Sequence, residues 1–217
     1  MTDLALGSGV IAVVRLPEVA DLRAVRAALA AGGVGAVEIT LTTPGAVDGI
    51  AALVRDADPA GPIVGAGTVL DERAARAVIA AGAKFVVSPT FDPAVTRSCR
   101  EHDIPCVPGA FTPTELLTAW QAGATLLKLF PAATAGPSYL REVLAPLPSL
   151  RIVPSGGVSV ETAGDWIRAG AAAVSVGGAL VSPALVRNRA WEELSARARA
   201  LVECVAQARR QVAQARV

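Results

Sequence analysis

Apolar residues in this chain fall in short dense runs, separated by longer stretches where they recur every three or four positions. Eight such runs stand at 10–15, 34–40, 62–66, 85–88, 105–107, 125–130, 151–154 and 172–177. Most are continuously apolar rather than alternating, as in parallel strands covered on both faces. The stretches 18–31, 46–56, 71–81, 93–102, 113–122, 138–145 and 160–169 carry the helical period. A final helix over roughly 188–215 places Trp191, Leu194, Leu201, Val205 and Val212 along one side.

The element ends are punctuated in a repeated style. Ala31-Gly32, Ala81-Gly82, Ala122-Gly123 and Ala169-Gly170 each close an alanine-rich segment. A glycine there supplies the left-handed residue that ends a helix. Thr43-Pro44, Asp92-Pro93, Thr112-Pro113 and Ser182-Pro183 each set a capping residue before a proline at the first helical position. Thr112 with Glu115 fits a capping box.

Strand and helix alternating eight times predict an α/β fold with a parallel sheet. Eight units closing on themselves make a (βα)8 TIM barrel. At about 25 residues per unit the barrel is compact, so residues 1–217 are read as a single domain with the last helix packed on it. An open doubly wound sheet is the alternative, because counting strands does not prove closure.

Composition narrows the function classes. Twenty basic residues face nineteen acidic ones, for a net charge of +1. That balance suggests neither a nucleic-acid partner nor an acidic tail. No apolar run reaches the ~18 residues of a membrane helix, so no membrane partner is expected. The first basic residue is Arg15, and the N-terminus lacks the charged front of a signal peptide. Cys99, Cys106 and Cys204 form no CxxC pair and read as free thiols of a reducing cytoplasm. His102 is the only histidine, so a multi-histidine zinc site is impossible, and neither metal nor cofactor is expected.

In a TIM barrel the chemistry sits at the C-terminal strand ends. Lys128 lies late in the sixth run, in Thr125-Leu-Leu-Lys-Leu-Phe-Pro131. Alternation sets Leu126, Lys128 and Phe130 on one face, and Leu127 and Leu129 on the helix-covered face. Lys128 therefore points into the barrel mouth, where apolar surroundings favour the neutral amine. A neutral amine attacks carbonyls and forms Schiff bases. The alternative is a lysine that snorkels from a strand end to solvent.

Glu38 shares a face with Ala36 and Thr40 at the end of the second run and could move protons on a substrate. It could equally be an exposed strand-end residue or form an ion pair with Arg15. Arg15 ends the first run and could bind a carboxylate or phosphate. Pro154-Ser-Gly-Gly-Val158 and Val176-Gly-Gly-Ala179 end the seventh and eighth runs, where TIM barrels often hold phosphate. Val64-Gly-Ala-Gly-Thr-Val69 has neither the third glycine of a dinucleotide fingerprint nor the lysine of a P-loop. It reads as a tight strand end presenting Thr68. Lys84 and His102 fall at the distal end and read as solvated.

These residues together resemble the class I aldolases of the KDPG (2-keto-3-deoxy-6-phosphogluconate) and 4-hydroxy-2-oxoglutarate aldolase family. The matching stretches are Ala12-Val-Val-Arg15, Val37-Glu-Ile-Thr40, Ile63-Val-Gly-Ala-Gly-Thr-Val69, Val87-Ser-Pro89, Pro108-Gly109, Thr112-Pro-Thr-Glu115, Leu127-Lys-Leu-Phe-Pro131, Pro154-Ser-Gly-Gly-Val158 and Val176-Gly-Gly178. They run in order over residues 10 to about 183. The resemblance implies a trimeric (βα)8 barrel that cleaves KDPG to pyruvate and glyceraldehyde 3-phosphate without metal. It implies Lys128 as the Schiff-base lysine and Glu38 as the general acid/base. By the same likeness Thr68 meets the pyruvyl carboxylate, and Pro89 and Phe130 line the pocket. Gly156, Gly157, Gly177 and Gly178, with Ser155 beside them, match the phosphate site.

Two positions depart from some family members. Thr42 stands where an arginine can follow the glutamate, leaving Arg15 as the main positive charge. Ala179 stands where a serine can follow the last glycine pair, which shifts phosphate onto backbone amides. The related substrates 4-hydroxy-2-oxoglutarate and 2-keto-3-deoxy-6-phosphogalactonate stay open, as do a phosphosugar isomerase-type barrel without a covalent step and a non-catalytic binding barrel.

Overall fold

The computed structural model describes residues 6–19, 21–56 and 61–215. Each apolar run holds a strand, β3 extending one residue past its run: β1 (Val10–Val14), β2 (Ala36–Thr40), β3 (Ile63–Gly67), β4 (Val86–Val87), β5 (Cys106–Val107), β7 (Leu127–Leu129), β8 (Ile152–Pro154) and β9 (Val174–Val176). One further short strand, β6 (Gly109–Ala110), follows β5 across Pro108. Proline has no N–H for a ladder and so interrupts the strand, while its carbonyl accepts from the Lys128 N–H at 2.8 Å.

All observed strand pairs are parallel. One sheet runs β5-β4-β3-β2-β1-β9 and a second runs β6-β7-β8. A single parallel bridge joins Ser155, just after β8, to Ser175 in β9. The sheet is curled, since both sheets feed one inner cluster of Ile11, Ala36, Phe85, Val87, Val107, Leu126, Val153 and Ala173. The outward strand residues, such as Val37, Ile39, Leu127 and Leu129, join the larger core beneath the helices. Continuous apolar runs are explained by this burial on both faces.

The helices are α1 (Leu22–Ala31), α2 (Ala46–Arg55), α3 (Glu72–Ala80), α4 (Pro93–Glu101), α5 (Pro113–Gln121), α6 (Ala132–Leu144), α7 (Val160–Arg168), α8 (Pro183–Arg187) and α9 (Trp191–Gln214). Asp92, Thr112 and Ser182 cap α4, α5 and α8 as expected. Thr43 does not cap α2. Its hydroxyl accepts from the Leu16 N–H at 3.1 Å, and left-handed Gly45 occupies the capping position. The helix expected from residue 138 begins at Ala132 and breaks at Gly136 before Pro137.

Gly82, Gly123 and Gly170 are left-handed as expected, but after α1 the left-handed residue is Gly33. Gly32 meets a spatial demand instead, because a Cβ there would lie 2.4 Å from Ala198 Cβ on α9. Along α9 the residues Leu194, Ala198, Leu201, Val205 and Ala208 are buried, and the helix packs against α1 and α7. Among the described residues no helix is long and apolar enough to cross a membrane. Cys99, Cys106 and Cys204 are free thiols.

Candidate active site

The C-terminal strand ends and the loops after them surround a cavity of about 390 Å³. Lys128, Arg15, Phe130, Ser155, Gly156, Gly157, Gly177 and Gly178 all line it, together with Ser159 and Ala179. Lys128 sits in β7 between Gly109 of β6 and Val153 of β8. Its flanking residues Leu127 and Leu129 face outward into the helix-covered core, and Leu126 faces the inner cluster. Alternation therefore turns Lys128 inward. It is 7% exposed, and its Nζ lies 5.1 Å from the centre of the Phe130 ring.

Glu38 is buried in β2, opposite Val13 of β1 and Gly65 of β3. Neither carboxylate oxygen has a hydrogen-bond partner. A buried acceptor left unpaired is costly, which marks a site where a ligand or a moving proton can supply the missing partner. Burial pushes the Glu38 carboxyl above its ordinary value, against the opposing positive charges of Lys128 and Arg15. Glu38 is thus not the exposed strand-end residue that the sequence left open, and Arg15 acts on it through space without a hydrogen bond to its carboxylate. Arg15 itself is exposed at the mouth.

Thr68 follows β3 with φ of 59°. A β-branched residue in that region is strained by about 1–3 kcal/mol, a cost that recurs at functional sites. Thr68 and Glu38 are not among the residues lining the Lys128 cavity. Pro89 lines a neighbouring cavity of about 510 Å³ with Phe91, Phe111 and Thr114, and Phe130 borders both.

At the other side of the mouth, Gly156 and Gly157 have φ of 83° and 86°. Both conformations favour glycine, and a Cβ at Gly157 would lie 2.4 Å from Ala133 Cβ. The loop leads through Ser159 into the N-terminus of α7, whose dipole favours an anion. A Cβ on Gly178 would meet only open space, and Gly178 lines the cavity. Lys84 and His102 are exposed, and His102 Nδ1 lies 2.8 Å from the Ser98 carbonyl oxygen. Among the described residues no group of three His, Cys, Asp or Glu side chains could hold a metal ion.

The sequence model of the KDPG and KHG aldolase family matches residues 4–197. The chain belongs to the KDPG and KHG aldolase family. It is 35% identical to a 2-dehydro-3-deoxy-phosphogluconate aldolase of Pseudomonas aeruginosa, over 93% of this chain and 91% of that one. It is 38% identical to a probable 2-dehydro-3-deoxy-6-phosphogalactonate aldolase of Rhizobium meliloti, over 86% of this chain and 90% of that one. Among solved structures it resembles a KDPG aldolase from Legionella pneumophila with pyruvate captured at low pH as a covalent carbinolamine intermediate. That likeness has a TM-score of 0.81 at 28% identity, over 89% of this chain and 93% of that one.

In this aldolase Thr42 is exposed and its hydroxyl lies 3.0 Å from that of Thr40. The sequence reading missed Ser159 as a cavity residue. Its signal was its place right after Gly156-Gly157-Val158, at the start of a helix. Phe91 and Phe111 of the neighbouring cavity left no such signal, because isolated aromatics in loops resemble ordinary core residues.

Proposed function

We propose that this aldolase cleaves KDPG to pyruvate and glyceraldehyde 3-phosphate through a Schiff base on Lys128. The observation that carries the reading is the pairing of a buried amine with a buried, unpartnered carboxylate that feels its charge. The Lys128 amine attacks the C2 ketone, and loss of water leaves an iminium. Glu38 takes the proton of the C4 hydroxyl as the C3–C4 bond breaks. The electron pair of that bond flows into the iminium, which becomes an enamine, and the aldehyde departs. Glu38 returns its proton to C3, and water then releases pyruvate and restores the amine. No step calls for a metal.

Thr68 and Arg15 hold the pyruvyl carboxylate in this reading, with Pro89 and Phe130 as walls. Ser155 and the amides of Gly156, Gly157, Gly177 and Gly178 hold the phosphate. The two sheets are read as one closed (βα)8 barrel, supported by the shared inner cluster and the Ser155–Ser175 bridge. With α9 packed on it, the chain is one domain. By family resemblance the enzyme is a homotrimer, read by sedimentation velocity, and its free cysteines suit the cytoplasm.

Pyruvate with borohydride is expected to add a stable mass to the peptide carrying Lys128, and Lys128→Arg to fall to background turnover. Active protein with Lys128 unmodified, or an active Lys128→Arg variant, would favour acid/base chemistry without a covalent step. A second substrate reading rests on the Rhizobium meliloti relative, whose name gives the galactonate compound. Turnover of the two C4 epimers side by side separates the readings.

A further inference from the structure

Strand β3 carries two glycines on its inward face, Gly65 and Gly67. Neither has a left-handed backbone, so neither is explained by conformation. A Cβ on Gly65 would lie 2.5 Å from the Phe85 ring, at the inner core. A Cβ on Gly67 would lie 1.8 Å from Glu38 Oε1, 2.4 Å from its Cδ and 2.5 Å from its Cγ. Real atoms do not approach so closely. In a strand, side chains lean along the strand direction. Glu38 stands opposite Gly65 in the register, and its carboxylate reaches the position two residues further on.

We propose that Gly67 is the positioning residue for Glu38, and that its missing side chain is the space the carboxylate occupies. This rests on the reading of Glu38 as the general acid/base. The carboxylate is buried and has no hydrogen-bond partner, so no hydrogen bond fixes its place. Shape does so instead. With alanine at 67 the carboxylate must leave that place, because the contact reaches back to Cγ and not only to the flexible end.

The half-reaction on pyruvate isolates the step. The Lys128 iminium of pyruvate gives a methyl proton to the Glu38 carboxylate, leaving an enamine and a carboxylic acid. The reverse transfer in deuterated water places deuterium on the methyl group, which proton NMR reads. Gly67→Ala is expected to slow this exchange about 100-fold, the scale of an ångström-sized misplacement. Its exchange–pH profile shifts, and kcat falls more than KM changes. Long incubation with pyruvate and borohydride still labels Lys128. Gly65→Ala serves as the packing control. It lowers the melting temperature, while exchange per folded molecule stays within a few-fold of wild type.

Glu38→Ala combined with Gly67→Ala supplies the decisive comparison. If Gly67 acts through Glu38, the double variant is no slower and no less stable than Glu38→Ala alone. Should Gly67→Ala alone fail to fold, a folded double variant supports the proposal, because the clash was with Glu38. A double variant that also fails to fold overturns it, as does a Gly67→Ala protein with wild-type exchange and pH profile. A wild-type protein that labels no Lys128 and exchanges no proton instead overturns the functional reading on which this one rests.

Discussion

Glu38 is a carboxyl whose surroundings oppose its charged form. Burial raises its carboxyl above the ordinary value of 4.5, and Lys128 and Arg15 only partly offset this. Such an acid holds its proton more tightly in the folded protein than in the unfolded chain. Its stabilising contribution is fully present below pH 4.5 and is lost as the pH rises through the raised folded value. Glu38→Gln carries no such charge. Its stability relative to wild type is expected to grow with pH over that window, reaching about 1–3 kcal/mol, the scale of a buried polar group without a partner. Urea unfolding of both proteins at a series of pH values measures the difference. Parallel curves would contradict the buried, uncompensated carboxylate. Lys128 was legible in the sequence because a charged residue interrupts an apolar strand. The fate of Glu38 was not, because whether it forms a hydrogen bond with Arg15 depends on how the first two strands end.

At the scale of elements, local signals are legible in the sequence and those resolved by tertiary contacts are not. Asp92 illustrates the first kind. Its side chain accepts from the Ala94 and Val95 N–H groups at 2.6 and 3.2 Å, ahead of Pro93 at the first turn. Asp92→Ala is expected to cost about 0.5–2 kcal/mol of stability, and Asp92→Asn much less. Thermal melts of the two variants check this, and equal melts would remove the capping role. Thr43-Pro44 carries the same pattern, yet its hydroxyl is taken by Leu16 from the neighbouring strand end. No local pattern reports that competition. Gly32 likewise carries a backbone signal in the sequence, whereas it is the close approach of α9 that requires it. In α6 the sequence showed only the segment after Pro137. The turn before it is held by bonds from the Ala132 and Ala133 N–H groups to the Ser155 and Gly156 carbonyls, so it depends on the loop after β8, a contact no local pattern shows.

The eightfold alternation was legible at the scale of the whole molecule because each unit repeats the same burial on two faces. The place of α9 was legible only as an apolar stripe. In the structure Ser195 Oγ donates to the Ala28 carbonyl at 2.9 Å, across 167 residues of sequence. Arg209 donates to the Gly7 and Ala172 carbonyls at 3.1 and 2.9 Å, beneath the strands. Leu194, Leu201 and Val205 are fully buried, each contributing about 1.5–3 kcal/mol by leaving water. Together they approach the net stability of a typical domain, about 5–15 kcal/mol. A chain ending after Ala190 is therefore expected to unfold cooperatively or to aggregate, not to persist as a stable barrel lacking a helix. A milder probe is Ala198→Leu, which drives a larger side chain toward Gly32 and is expected to cost about 1–3 kcal/mol. Circular dichroism and turnover on both variants test the point together. A truncated chain with undiminished melting temperature and activity would make α9 an appendage and end the reading of one domain. Loss of both in the truncation, with a graded loss in Ala198→Leu, fits a helix that completes the core on which the mouth depends.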